Sequence, residues 1–424
     1  MLDIKSIRED PDAVKERLAT RGEDGSVIDH ILEIDAERRQ LITQVEQLKQ
    51  ERNSISKEIG VRKKNGESAD DLLSGMKEKS DRISELDAQT NEVDEKQRQE
   101  LLSLPNLPHG ACPVGTSEAD NPEVGCFGEK PTFDFEPKNH VELAESAGWL
   151  DFASAADISG SGYVVFNGQG ARLERALIQF MLDLHSREHG YREVSPPFLI
   201  REAAMYGTGQ LPKFREDMYG FEEEGLFLAP TAEVPVTNLF REQILPESDL
   251  PQKRVAYTPC FRREAGSAGK ETKGLIRMHQ FDKVELVRVV HPDTSFDALE
   301  ELRREAETVL EKLGLHYRTI ELCTGDLGFG AAKCYDIEVW APGSDMYLEV
   351  SSCSNFADFQ ARRMQLRFKD ENKKNQFCHT LNGSGTALPR LFVALIESGQ
   401  QADGSVVLPE VLHPYFGGEV MIPE

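Results

Sequence analysis

Residues 261–285 read FRREAGSAGKETKGLIRMHQFDKVE, with arginines and carboxylates alternating with glycines. Arg262 and Arg277 flank a polar loop containing Gly266, Ser267, Gly269, Lys270 and Gly274. Apolar, strand-like runs bound the segment, 254–258 before it and 284–290 after it. Guanidinium groups on rigid strands beside a mobile glycine loop suit a polyphosphate. Arginine meets phosphate oxygens bidentately and keeps its charge. Glu264 and Glu285 supply acceptors for an amine, amide or hydroxyl. An ion-paired surface hairpin would use the same residue types, so this stretch alone leaves both readings open.

Residues 380–390, TLNGSGTALPR, lead into the apolar run LFVALI. Glycines ahead of a helix pattern put backbone N–H groups where anions bind. Arg390 falls at the start of that helix, where a cation opposes the macrodipole. A bound anion would account for it; a glycine-rich turn before a core helix is the alternative.

These segments, in this order, resemble the signatures of the class II aminoacyl-tRNA synthetases, and among them the bacterial-type seryl-tRNA synthetases. FRREAG with RMHQF is similar to the second signature and GSGTALPR to the third. GYREVSPPFLI (190–200), with Pro197, is similar to the first. The likeness continues through GTGQLPKF (207–214), LAPTAEVP (228–235), LEVSSCSNFADFQARR (348–363) and HTLNGS (379–384). It covers essentially the whole chain.

The activity so implied is ATP-dependent formation of seryl-adenylate and transfer of serine to tRNA. In the first step the serine carboxylate attacks the α-phosphate of ATP. The nucleophile is already charged, so the task is to hold anions together and stabilise developing charge. The resemblance implies that Arg262 bridges the serine carboxylate and the α-phosphate, that Arg277 makes a second phosphate contact, and that Arg390 clamps the γ-phosphate. These three are the expected catalytic residues. It also implies an ATP site of Arg262, Arg263, Glu264, Met278, Phe281, Glu349, Val350, Ser351, Ser352 and Arg390. Glu264 would read the adenine amino group, Phe281 would lie beneath the ring, and the backbone near Met278 would frame it. Glu349 and Ser352 would be the Mg²⁺ ligands, an incomplete shell of the kind Mg²⁺ completes with phosphates and water. For serine, the implied set is Thr231, Ala232 and Glu233 at the ammonium, Arg262 at the carboxylate, Glu285 accepting from the hydroxyl, and Asn382 and Ser384 closing that side. Residue types alone would equally allow an Arg262–Glu264 strand ion pair and core positions for Phe281 and Met278.

The 424 residues allow two or three domains and ample core. No continuous apolar stretch is long enough to span a bilayer. The start, MLDIKSIRED, is charged throughout and argues against secretion. The 7 cysteines are scattered without a CxxC pair, which fits a reducing cytoplasm. A net charge of −25 argues against a general nucleic-acid binder, DNA included, so any RNA contact must be locally basic.

Residues 1–26 read as a helical lead-in. Ile31, Ile34, Leu41, Val45, Leu48, Ile55 and Ile59 then follow at spacings mostly of three and four, and Leu72, Met76, Ile83, Leu86, Val93 and Leu101 resume the pattern after a polar break. This predicts an antiparallel coiled-coil hairpin over about 27–104 that projects from the rest. Its tip gathers Arg52, Lys57, Arg62, Lys63 and Lys64, which suit an RNA backbone. Runs of hairpin-like strands, among them 336–340 and 346–351 joined by a Pro-Gly turn, with helices elsewhere at 172–189 and 296–313, predict an α+β domain with an antiparallel sheet flanked by helices. The expected organisation is a tRNA-binding arm over 1–104, a linker over 105–125 and a class II catalytic domain over 126–424.

The implied partners are ATP, L-serine, Mg²⁺ and tRNA(Ser), with tRNA(Sec) left open. A homodimer built on 190–200 is also implied, with no membrane contact. A ligase that loads a carrier protein, or a non-catalytic RNA-binding adaptor, are the competing readings. The long arm speaks against the first, and the presence of Arg262, Glu349 and Arg390 against the second.

Overall fold

The computed structural model describes all residues except 222, 266–273 and 424. The chain divides into two compact units, Met1–Pro105 and Asn106–Glu424.

In the first unit, short helices Ile4–Glu9 and Pro11–Ala19 precede two long ones. Asp10 caps the second short helix, accepting from the Ala13 N–H at 3.1 Å. Helix α1, Ser26–Lys64, and helix α2, Asp70–Ser103, run antiparallel. Ion pairs Arg38–Asp94, Lys49–Asp87 and Lys79–Glu51 cross between them, their numbers converging toward the tip. The seam buries Ile31, Ile34, Val45 and Ile59 of α1 against Ile83, Leu86, Val93 and Leu101 of α2. This is the hairpin that the heptad spacing predicts.

The second unit is built on an eight-stranded sheet. Its strands are β1 (Glu123–Phe127), β2 (Arg192–Glu193), β3 (Gln252–Phe261), β4 (Gln280–Val290), β5 (Tyr317–Glu321), β6 (Lys333–Ala341), β7 (Met346–Asn355) and β8 (His379–Ala387). The spatial order is β1-β5-β6-β7-β8-β4-β3-β2. Neighbours are antiparallel except the short edge pair β2–β3. Three helices share one apolar core with this sheet: α3 (Gly168–Arg187), α4 (Ser295–Lys312) and α5 (Leu388–Gly399). Leu177, Met181, Leu302, Leu310, Phe392 and Ile396 meet Val284, Leu286, Ile337 and Val350 there. Strand alternation turns Lys283 and Glu285 of β4 away from that core. Among the described residues, no helix is long and apolar enough to cross a membrane.

The structure corrects several expectations. Residues 380–387 are not a loop but most of strand β8, in the middle of the sheet. The glycines there answer to packing. A Cβ on Gly383 would lie 2.9 Å from the Cys353 sulfur and 3.2 Å from Leu302, and one on Gly385 would lie 3.1 Å from His185. The stretch expected as a linker is fastened to the second unit. The Asn106 N–H donates to the Phe329 carbonyl at 2.9 Å, and its side-chain amide to the carbonyls of Gly330 and Phe356. Strand β1 then begins at Glu123, ahead of the expected boundary at 126. Gly266, Ser267, Gly269 and Lys270 lie outside the described residues. Gly274 is not part of a mobile loop but packs tightly, with φ +66 and a Cβ position 2.2 Å from the His140 ring.

Replacing Gly383 by valine forces this contact apart. We expect a loss of about 1–3 kcal/mol by chemical denaturation. Gly328→Ala is the control, because a Cβ there meets nothing within 4 Å.

Candidate active site

Strands β3 and β4 pair from Phe261 opposite Gln280, so Arg262 and Arg277 emerge at the two ends of their connection. The Arg262 N–H donates to the His279 carbonyl at 2.9 Å, and its Nε to the Pro230 carbonyl at 3.2 Å. This aims its guanidinium over the Phe281 ring, 5.2 Å from the centroid. Arg277 donates to the Glu264 carboxylate at 2.6 Å, while its Nε is buried with no partner.

These residues line a cavity of about 340 Å³. Leu275, Ile276, Met278 and Phe281 supply an apolar part of its lining. Thr231, Glu233, Lys283, Asn382 and Ser384 supply a polar part. Arg390, Glu349 and Ser352 line it as well. Arg390, in the first turn of α5, donates to the Glu349 carbonyl at 2.7 Å and to the Ile276 carbonyl at 3.2 Å. Its guanidinium lies 3.6 Å from the Glu349 carboxylate.

Residues three apart on a regular strand face opposite sides. Glu349 and Ser352 nevertheless share this cavity. Ser351 pairs with Ile337 and Glu349 with Glu338, leaving Val350 unopposed in a β-bulge. A second bulge does the same on β8. Ser384 pairs with Glu285 and Thr386 with Val284, leaving Gly385 unopposed, so that Ser384 and Ala387 line one wall.

The polar part is a dense, buried network. Glu285 is fully buried, accepting from Thr231 at 2.9 Å and Asn382 at 3.0 Å while ion-pairing with Lys283. Lys283 also donates to the Thr231 hydroxyl at 2.9 Å. Glu233 accepts from Gln360 at 2.6 Å, and Gln360 accepts in turn from Thr380 at 2.7 Å. Burial pushes the Glu233 carboxyl from 4.5 up to about 7, helped by the nearby Glu285 charge and opposed by Gln360, Lys283 and Arg262.

Asp336 pairs with Ser352 across β6 and β7. Its carboxyl is raised well above the usual range, first by burial and then by the Glu349 charge. That mutual repulsion, with the Ser352 hydroxyl beside it, is a donor set fitted to a hard cation. Among the described residues, no cluster of three or more His, Cys, Asp or Glu is set to enclose a metal. A cation here would draw its remaining ligands from substrate phosphates and water.

Of the residues expected at the site, Arg262, Glu264, Arg277, Met278, Phe281, Glu349, Val350, Ser352, Arg390, Thr231, Glu233, Asn382 and Ser384 come together on this wall. Arg263, Ala232, Ser351 and Glu285 do not line it. Arg263 turns outward onto the Tyr219 ring, 5.2 Å away. Ala232 is fully buried. Ser351 donates to the Ser384 carbonyl at 2.6 Å, tying two strands together. Glu285 sits behind Thr231, Lys283 and Asn382. Lys283 and Gln360 were missed. Lys283 could have been found, because it lies two residues before Glu285 on one strand face. Gln360 has no such signal, since its partner Glu233 lies on a different element.

The description "tRNA synthetase class II core domain (G, H, P, S and T)" matches residues 219–399, and "Seryl-tRNA synthetase N-terminal domain" matches 1–108. The chain is 58% identical over 425 residues to the serine–tRNA ligase of Akkermansia muciniphila, covering 100% of both. It is 53% identical over 419 residues to that of Geobacter sulfurreducens, covering 99% of both. The crystal structure of seryl-tRNA synthetase from Pyrococcus horikoshii complexed with ATP superposes with a TM-score of 0.93 at 41% identity, covering 100% of both chains. The cytoplasmic serine–tRNA ligase of Naegleria fowleri in complex with AMP gives 0.89 at 28%, covering 100% of this chain and 99% of that one. With both units matched and an arginine-lined cavity on the sheet of the core, the chain belongs to the seryl-tRNA synthetase family of class II ligases.

Proposed function

We propose that this cavity joins L-serine to ATP as seryl-adenylate and that the chain then passes the seryl group to tRNA(Ser). The observation that carries this reading is the convergence, in one cavity, of three arginines, a carboxylate–hydroxyl pair and an apolar part of the lining. Adenine fits against that apolar part, with Phe281 beneath it and Glu264 at its amino group. ATP phosphates would draw Arg277 away from Glu264 and engage Arg390 at the γ end. Arg262 holds the serine carboxylate against the α-phosphate. A carboxylate oxygen bonds to that phosphorus, the bond to the β-phosphate breaks, and diphosphate leaves with the electron pair. Mg²⁺ held by Glu349 and Ser352 would neutralise the phosphate charge that develops there.

Glu233 and Thr231 receive the serine ammonium. Asn382 and Ser384 face the hydroxyl, and Glu285 acts from behind by fixing Asn382. Alanine would leave these buried groups unpaired and so be rejected. In the second step a terminal ribose hydroxyl attacks the seryl carbonyl. An ester C–O bond forms, the carbonyl–phosphate bond breaks, AMP departs with its electrons, and the hydroxyl proton passes to solvent.

Residues 1–105 form the tRNA-binding arm in this reading and 106–424 the catalytic domain. Lys57, Lys63 and Lys64 are exposed and suit RNA phosphates, with half-buried Arg52 behind them. Arg62 is instead held by Asp71 and Glu58, each at 3.1 Å, and locks the tip. The exposed apolar Phe198 and Leu199 support a homodimer through 190–200. Six of the free cysteines are buried and Cys126 is exposed, in keeping with a reducing cytoplasm.

Serine-dependent ATP–diphosphate exchange, run also with alanine, glycine and threonine, tests the reading. Exchange with serine alone is expected, and exchange favouring glycine or alanine would refute it. Deleting residues 44–92 should spare exchange and abolish charging of tRNA(Ser) and of any tRNA(Sec) that the full chain accepts. The Glu233 carboxyl predicts a pH profile as well. Serine's ammonium binds the ionised form, so serine affinity is full above about pH 7 and falls by about tenfold per unit below it. Glu233→Gln should bind serine weakly and flatten that dependence of KM.

A further inference from the structure

His140 does not line the cavity, yet it holds part of the wall. It opens the short helix His140–Ser146 and is almost wholly buried. The buried Leu275 N–H donates to its Nε2 at 3.2 Å. The next residue, Ile276, is held too, because its carbonyl accepts from Arg390 at 3.2 Å. Leu275 and Ile276 both line the cavity. Two consecutive residues of the wall are thus each fastened by a side chain from another element. The backbone comes close enough for this because residue 274 is glycine: a Cβ there would lie 2.2 Å from the His140 Nε2.

Both fastenings lead back to α5. Arg390 stands in its first turn, and Glu397 lies about two turns further along, fully buried. The Glu397 carboxylate is bonded to the His140 Nδ1 at 3.0 Å and accepts from the His140 main-chain N–H at 2.8 Å. It accepts also from the Ser344 hydroxyl at 2.7 Å, and from the N–H groups of Gly343 and Ser344 at 2.9 and 3.0 Å. The Leu275 amide can only donate, so Nε2 is the bare ring nitrogen. The ring proton is therefore on Nδ1, where it faces Glu397.

We infer that His140 is a positioning residue for the nucleotide: held in the Nδ1–H tautomer by Glu397, it seats Leu275 and Ile276 against the adenine. Helix α5 then sets both ends of the ATP site, the γ-phosphate through Arg390 and the adenine wall through Glu397 and His140. The inference rests on the ligase reading above, which places adenine against this apolar lining.

Two substitutions separate the ring nitrogens. The amide of His140→Asn reaches the place of Nδ1 and still donates to Glu397, but leaves the Leu275 N–H unpaired. The amide of His140→Gln reaches the place of Nε2 and accepts from Leu275. Each full-length variant is assayed by serine-dependent ATP–diphosphate exchange, and by amide hydrogen exchange over residues 274–280. His140→Asn should raise the KM for ATP by about tenfold, the scale of one buried donor left unpaired. Its KM for serine should stay within about twofold, because the serine residues share no partner with His140. Its amides over 274–280 should exchange faster. His140→Gln should keep the KM for ATP within about threefold, since the bond to Leu275 survives. Equal rises for ATP and serine in His140→Asn would make the histidine a packing residue and overturn the inference. An unchanged KM for ATP in that variant, or a larger rise in His140→Gln, would overturn it too. If His140→Asn does not fold, His140→Gln decides alone: a KM for ATP within about threefold supports the inference and a rise of about tenfold overturns it. Absence of serine-dependent exchange in the unsubstituted chain would instead sink the ligase reading, while amide exchange would still test the seat of Leu275.

Discussion

The site depends on breaking the two-residue period of a β-strand in two places. Glu349 and Ser352 on β7, and Ser384 and Ala387 on β8, are each three apart, and a regular strand would send one of each pair into the core. The unopposed Val350 and Gly385 reverse this, so that all four face one cavity. A bulge leaves backbone groups without ladder partners. Next to the first one, the Glu349 carbonyl accepts from Arg390. The proposed phosphate clamp and the strand irregularity thus hold each other in place. Removing one residue from either bulge would turn the side chains beyond it to the wrong face.

Charge is handled by pairing rather than by exposure. Lys283 and Glu285 are buried side by side, with Thr231 bonded to both. A buried pair of this kind adds little net stability, but losing one partner is costly. What it secures is orientation, because Thr231 and Asn382 are both fixed by Glu285. Glu233 differs. Its neighbours only partly offset burial, so its carboxyl remains poised near neutrality. A substrate ammonium supplies the missing charge, so the pocket is electrostatically complete only with a zwitterion in it.

The helical hairpin obeys a different rule. Its seam is apolar except where Gln97 donates to Asp35 at 3.2 Å, with Arg8 lying 3.5 Å from the same carboxylate. A polar contact inside a coiled-coil seam costs stability and selects register. Here it aligns α1 with α2 at the end away from the tip, while Arg62 with Asp71 aligns them at the tip.

Local pattern was enough for much of this protein. Heptad spacing exposed the hairpin, because a seam between two helices is written every three or four residues. Apolar runs at 254–258 and 284–290 exposed two of the long strands, and the order of short motifs pointed to the arginines, Glu349, Ser352 and Phe281. The glycines of residues 380–387 misled for a physical reason. Their sequence is that of a turn, yet they sit in a central strand because Leu302, Cys353 and His185 leave no room for a side chain. Neither bulge could be read in the same way, since an extra residue on one strand is defined only by its partner's register. Nor could the retreat of Glu285 behind Lys283, or the Gln360–Glu233 contact between separate elements. Sequence determined which residues were available and which elements carry them. Tertiary structure alone decided which faces they share, because register and close approach are properties of two segments at once.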